Sequence, residues 1–334
     1  MDAKITKQRL AHLLSYDWIK IIAVAVAAII VWVLVFSITA TRITPAQQFS
    51  VINYHCNNTL SGDFSDAYNS ALEGKNKVFS YEVIEGNTHD LTIAGDEWPT
   101  ILEARMTVEE GDVLFVPDIP DKSVSGQDPT TGEAVTFSYL ETFLMRGYFT
   151  HAYELAGETG YFASLENFLK GYYEGGDYVN GTLDEKKAES DFRARIKRNK
   201  DKRFKKEAQI KQGIQDEIAR IQKYRDAYIE FQGYLDSGLV EYTHVKIFYG
   251  EGENDFVEGK YGLNLCPDEN KMDKLKNYAS YRTVGVDEDG NETQDFITAK
   301  DMNVVFLRFD GVESSFEYES LLYVNYLIRL SKAE

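Results

Sequence analysis

The chain has 334 residues, 43% apolar and 27% charged, the balance of a folded globular protein and not of a disordered one. Its 54 acidic residues outweigh 36 basic ones for a net charge of −18, which excludes the broad basic face that sequence-blind binding of nucleic acid requires. The two cysteines, Cys56 and Cys266, are too few and too far apart for a disulfide scaffold or a CxxC-type metal site, so neither metal nor cofactor is expected.

The first element is a run of twenty uncharged residues, IIAVAVAAIIVWVLVFSITA at 21–40. As a helix rising 1.5 Å per residue it covers about 30 Å of hydrocarbon, so it is expected to span the lipid bilayer. A cleaved signal peptide is the rival reading, but its apolar core is usually about 7–15 residues, which favours an uncleaved anchor. Lys4, Lys7, Arg9 and Lys20 precede the run and Arg42 alone follows closely. That asymmetry places residues 1–20 as a cytoplasmic leader of a single-pass cell-membrane protein, with the C-terminal domain extracellular. In that compartment Cys56 and Cys266 are free to pair if their Cα atoms approach to about 6 Å, which sequence leaves open.

Beyond the anchor, residues 49–56 read as a strand, 61–74 as a helix and 78–85 as a second strand. Asp96 is the expected N-cap of a helix along Ile101, Ala104, Arg105 and Val108, stopped by Gly111 before a strand at 112–116. This βαβαβ order predicts a parallel sheet covered by helices, over a lobe whose first part is 41–132. A helical region at 133–238 follows. Its aromatics, from Tyr139 through Tyr161 and Phe162 to Tyr178, read either as core anchors or as a platform for stacking sugar rings, and the core reading is favoured. Ile210, Ile214, Ile218, Ile221, Tyr224, Tyr228, Phe231 and Leu235 recur every three or four residues, predicting one long amphipathic helix across 184–235. Residues 186–206 within it carry eleven Lys or Arg against three acids. Strands at 242–249, 261–265 and 304–309 and a closing helix at 316–330 make up the last part, 239–334. Asp287, Asp289 and Asn291 superficially suggest a calcium loop, but Gly290 stands at the wrong position, and an ordinary turn is expected.

Residues 49–118, with the later strands at 261–265 and 304–309, resemble one lobe of a type II extracellular solute-binding protein. The phrase ILEARMTVEEGDVLFVPD at 101–118 is similar to the helix and strand that precede the first crossover in sugar-type binding proteins of ABC importers. The resemblance implies an α/β fold, a transmembrane helix followed by a solute-binding-protein-like domain with a large helical insertion. It also implies a sugar or peptide ligand and an importer permease as partner. Two departures stand out: an uncleaved helix where a lipidated cysteine is usual, and a basic helical block where a second lobe is expected.

The ligand crevice of a parallel sheet lies at the C-terminal ends of its strands. The expected ligand-binding residues are therefore Asn57, Asn58 and Thr59 after the first strand, Asn87 and Thr88 after the second, and Asp118 after the third. The leading expectation is a membrane-tethered solute-binding-like protein, accessory to or sensing for an ABC importer. The alternative is an envelope scaffold whose basic helix binds a partner or an anionic cell-wall polymer through Arg195, Arg198, Lys202 and Lys205. Catalysis is not expected: the histidines lack metal-ligand spacing, no nucleophile elbow or phosphate loop is present, and His55 and Cys56, as neighbours on a strand, point to opposite faces.

Overall fold

The structure, a computed structural model, describes residues 7–39, 44–56, 77–91, 95–128, 131–250, 255–286, 292–308 and 316–332. Asn57, Asn58, Thr59, the helix expected at 61–74 and the turn at 287–291 lie outside them. The chain divides into two compact units, 1–44 and 45–334.

The first unit contains helix α1, Lys7–Thr39. Its stretch Trp18–Phe36 has a mean hydropathy of 2.9 and buries no residue in the protein, making it long and apolar enough to cross a membrane or act as a signal anchor. Helix starts already at Lys7, so most of the expected leader is continuous with the apolar run.

The second unit is mixed α/β. Strands β1 (Gln48–Asn53), β2 (Glu85–Asp90) and β3 (Val113–Pro117) are parallel, in the order β2-β1-β3. Strand β10 (Met302–Phe306) then pairs antiparallel with β3, followed by β7 (Phe256–Asn264) and β6 (Glu241–Phe248). Two separate hairpins, β4 (Pro120–Gln127) with β5 (Ala134–Ser138) and β8 (Tyr281–Val286) with β9 (Glu292–Thr298), complete the strands.

The central strands are apolar on both faces because both faces are covered. Phe49, Val51, Val113, Phe115, Val304 and Phe306 face one core, and Ile52, Leu114, Val116 and Val305 the other. Helices α4 (Tyr161–Tyr172), α6 (Glu207–Asp236) and α7 (Glu319–Ser331) pack on the first face, while α2 (Trp98–Thr107) and α3 (Tyr139–Met145) pack on the second. Gly111 ends the α2 turn at φ +142°, where an added Cβ would lie 2.8 Å from Leu307 Cδ1 and 2.9 Å from Ile52 Cδ1.

Two expectations change, and the question of the cysteines is answered. The segment expected as the second strand is a loop, and the strand starts only at Glu85. Its polar groups bond to side chains: Ser80 N donates to Glu319 Oε2 (2.9 Å), and Glu82 accepts from Arg203 (2.9 Å). The single long helix is two, α5 (Glu185–Arg198) and α6, joined through Lys200 at φ +50°. The pair packs at Gly213, where an added Cβ would sit 2.4 Å from the Phe192 ring and 2.6 Å from that of Phe204. Cys56 and Cys266 are both buried free thiols. The aromatics of residues 133–238 follow the core-packing reading: Phe162, for example, stacks on Phe231 with centroids 4.4 Å apart.

Candidate functional site

At the C-terminal end of β1 the chain leaves the sheet as Tyr54, His55 and Cys56. Tyr54 N still donates to Phe115 O (2.9 Å), which holds the exit in register with β3. His55 then adopts φ +55°, a left-handed conformation that costs a β-carbon residue free energy and that concentrates at functional sites. This turn lays the imidazole on the Tyr139 ring, stacked at 3.9 Å between centroids. Trp98, the first residue of α2, closes the group, its ring edge-on to both Tyr54 (5.2 Å) and His55 (5.5 Å). Tyr54, His55, Leu91, Gly95 and Trp98 line a cavity of about 210 Å³.

Tyr54 is 1% exposed, and although the Arg146 guanidinium can donate to its oxygen, its hydroxyl proton has no acceptor among the described residues. Buried hydroxyls are nearly always paired, and leaving one unpaired costs about 1–3 kcal/mol. The Nδ2 of neighbouring Asn53 is likewise buried and unpaired. Burial pushes the Tyr54 phenol up to about 12, against the opposing field of the Arg146 guanidinium. Burial also lowers the His55 imidazole below its ordinary value; Asp121 works against this and Arg146 with it, so the ring is neutral near pH 7. Arg146 sits over Trp98 at 4.9 Å from the ring centroid. Asp121, 4% exposed, accepts from Ser123 N (2.9 Å) and Ser123 Oγ (2.5 Å). The site thus offers aromatic walls, a neutral imidazole, an unsatisfied phenol, an exposed cation and a buried carboxylate.

The residues expected from sequence fare differently. Asp118 does lie just beyond β3, half-buried, its carboxyl raised by burial while a Ser138 hydrogen bond opposes the rise. Asn87 and Thr88 do not follow a strand: they lie inside β2 on the sheet edge, opposite Ser50 and Val51. Cys56 faces the interior, its thiol bonded to Asn53 Oδ1 (3.6 Å) and Phe115 O (3.5 Å) and pushed upward by burial. Nothing in the sequence joins Tyr54, Trp98, Tyr139 and Arg146 into one site, because they come from three distant segments with no common spacing.

The four basic residues also separate. Arg195 is 8% exposed and held inside the protein: its Nη1 and Nη2 donate to Glu217 at 2.9 and 3.0 Å, and Nη2 also to Tyr81 Oη at 2.7 Å. This corrects its assignment to partner binding, since a guanidinium already enclosed by a carboxylate cannot meet an external polymer. Arg198, Lys202 and Lys205 are exposed at the turn between α5 and α6.

Compared with known protein families, curated proteins and solved structures, the chain matches none.

Proposed function

We propose that this chain is a membrane-tethered binding protein whose ectodomain takes a small polar ligand at the Tyr54–His55 cavity, as an accessory or sensing component beside an importer. The buried Tyr54 hydroxyl, whose proton has no acceptor, beside a strained histidine carries this reading, because a ligand oxygen supplies the missing acceptor. The cavity lies at the ends of parallel strands, where ligands bind in open α/β sheets. At about 210 Å³ it is below the roughly 300–1,000 Å³ that accepts drug-sized molecules, which points to a single monosaccharide or amino acid. The later strands β7 and β10 join the same sheet as β1 and β3, as the resemblance to a solute-binding lobe requires.

Thermal denaturation of the full chain in phosphatidylcholine nanodiscs, against a panel of monosaccharides and amino acids, tests the proposal. A ligand at about 100 times its Kd stabilises by about 2.7 kcal/mol. A shift in Tm with one panel member, lost in His55→Ala, is the expected result; no shift with any member refutes it.

A second reading rests on the exposed turn between α5 and α6. Lys197, Lys200, Lys202, Lys205 and Lys206 are exposed there and form no ion pair among the described residues. Such a cluster suits an anionic envelope polymer.

A further inference from the structure

A cavity of about 420 Å³, far along the chain from the His55 group, opens between α6, α7 and the loop at Lys77. Its charged lining divides into satisfied and unsatisfied groups. Asp226 Oδ1 is held by Arg225 Nη2 at 2.7 Å, and Glu230 accepts from Arg329 Nη1 (2.8 Å) and Tyr234 Oη (2.6 Å). Neither lysine has a carboxylate within ion-pair distance among the described residues. Lys77 Nζ donates to Val83 O (2.9 Å), and Lys223 Nζ to the carbonyls of Lys77, Val78 and Phe79 at 3.3, 3.2 and 3.1 Å. Each ammonium repels the other: Lys223 is held below its ordinary value first by burial, with the charge of Glu319 opposing the fall and that of Lys77 adding to it.

Asn325 supplies the second observation. It is 1% exposed, and its Nδ2 is committed to Ala227 O (2.7 Å) and Glu230 Oε2 (3.3 Å), which fixes which end of the amide is oxygen. Asn325 lines the cavity, and its Oδ1 is buried with no donor among the described residues. An external cation has little to gain here, because both carboxylates already have partners. An anion that also carries a hydroxyl satisfies everything left over: the charge neutralises the lysine pair and the hydroxyl donates to the amide oxygen.

We propose that the cavity between α6, α7 and Lys77 is a second ligand site that binds a small hydroxylated organic phosphate, the phosphate between Lys77 and Lys223 and a hydroxyl on Asn325 Oδ1. Two ammonium groups match a dianionic phosphate, and lysine serves phosphate as a point charge without needing a planar fork.

The test is calorimetric titration of the full chain in phosphatidylcholine nanodiscs with glycerol 3-phosphate, methyl phosphate and glycerol. Glycerol 3-phosphate is expected to bind about tenfold more tightly than methyl phosphate, the worth of one hydrogen bond to a buried acceptor, and glycerol not at all. Lys77→Gln, which removes a single carbonyl contact and so spares the fold, is expected to weaken glycerol 3-phosphate by about tenfold. Tyr54→Phe leaves this binding unchanged, which separates the site from the first cavity. Absence of heat from glycerol 3-phosphate with the folded wild-type chain overturns the proposal, as does equal binding by wild type and Lys77→Gln. Equal affinity for methyl phosphate removes the role given to Asn325 and overturns it in the form stated.

Discussion

Replacing Glu217 by glutamine perturbs the interior at its most charged point. The carboxylate is 2% exposed and accepts five hydrogen bonds: from Arg195 Nη1 (2.9 Å) and Nη2 (3.0 Å), Arg220 Nε (3.0 Å) and Nη2 (2.6 Å), and Tyr81 Oη (3.1 Å). Although burial pushes its pKa upward, Arg220 and Arg195 hold it down to about 2. Glutamine keeps the shape but removes the charge and turns one acceptor into a donor facing guanidinium donors. Among the described residues Arg195 then retains Glu82 at 3.7 Å as counter-ion, and Arg220, 1% exposed, retains Tyr224 Oη at 3.4 Å and the Phe316 ring at 4.5 Å. Breaking a buried ion pair from one side costs about 3–5 kcal/mol, and because two guanidiniums share this carboxylate the upper half of that range applies. At about 2 °C per kcal/mol for a domain of this size, Tm falls by roughly 8–10 °C. Thermal and urea denaturation of the full chain in nanodiscs, followed by circular dichroism, measures it, with Lys202→Gln as an exposed control expected to stay within about 0.5 kcal/mol. A Glu217→Gln loss below about 1 kcal/mol, or an equal loss from Lys202→Gln, refutes the assignment of Arg195 to internal structure.

Tyr54→Phe removes a buried hydroxyl whose proton has no acceptor, so its stability is expected to equal or exceed wild type by up to about 1 kcal/mol while ligand affinity at the first cavity drops; a clear destabilisation shows that the hydroxyl proton is bonded. Burial raises the Asp112 carboxyl to about 7 and, with the Asp112 charge adding, the Glu317 carboxyl to about 8, from ordinary values of 3.8 and 4.5. The folded chain therefore binds more protons than the unfolded one between about pH 4.5 and 7. Stability is expected to rise on acidification through that window by up to roughly 1.4 kcal/mol per pH unit for each group, and to be lost as pH climbs through 7 to 8; urea midpoints that climb steadily from pH 5 to 8 exclude this. The lowered His55 and His89 imidazoles act in the opposite sense below about 6.5 and soften the trend. Gly213→Ala, which on an exposed helix gains about 1 kcal/mol, is expected to lose 1–3 kcal/mol because the methyl meets Phe192 and Phe204; a Tm at or above wild type sinks the packing argument. Charge reversal at Lys202 and Lys205 leaves Tm unchanged and abolishes co-sedimentation with an anionic envelope polymer if the second functional reading holds; unchanged sedimentation removes it.

The elements that sequence displays are those whose environment is uniform along their length. Val113–Pro117 and the stretch Val304–Phe306 are buried on both faces and read as unbroken apolar runs, and α1 carries a charge-free apolar run that its composition alone defines. The segment 78–85 misleads for the converse reason. Phe79 and Val83 point into the core while Ser80 and Glu82 bond to α7 and Arg203, which mimics strand alternation without a strand neighbour. The break between α5 and α6 is hidden because the apolar rhythm of α6 begins at Ile210, while residues 199–206 are charged enough to pass for a solvated helix face.

The same reasoning separates the two kinds of basic residue that composition lumps together. Arg193, Arg195 and Arg203 are engaged by Glu189, Glu207, Glu217, Asp201 and Glu82, partners that lie from two to well over a hundred residues away in sequence. No pattern along the chain reveals such pairings, because each depends on a tertiary approach; only the i,i+4 pair of Arg193 with Glu189 is visible locally. Arginine suits these roles through its planar, weakly hydrated fork, whereas lysine, a strongly hydrated point charge, stays outside at the turn. The block that reads as one polyanion-binding helix therefore divides into arginines turned inward, Arg195 on Glu217 and Arg203 on Glu82, and an outward patch of Arg198 and the lysines at the turn. The cavity at the strand ends is concealed for a related reason: Tyr54, Trp98 and Tyr139 meet only because β1 and the first turns of α2 and α3 converge on one end of the sheet, and the left-handed turn at His55 that completes the wall leaves no compositional trace.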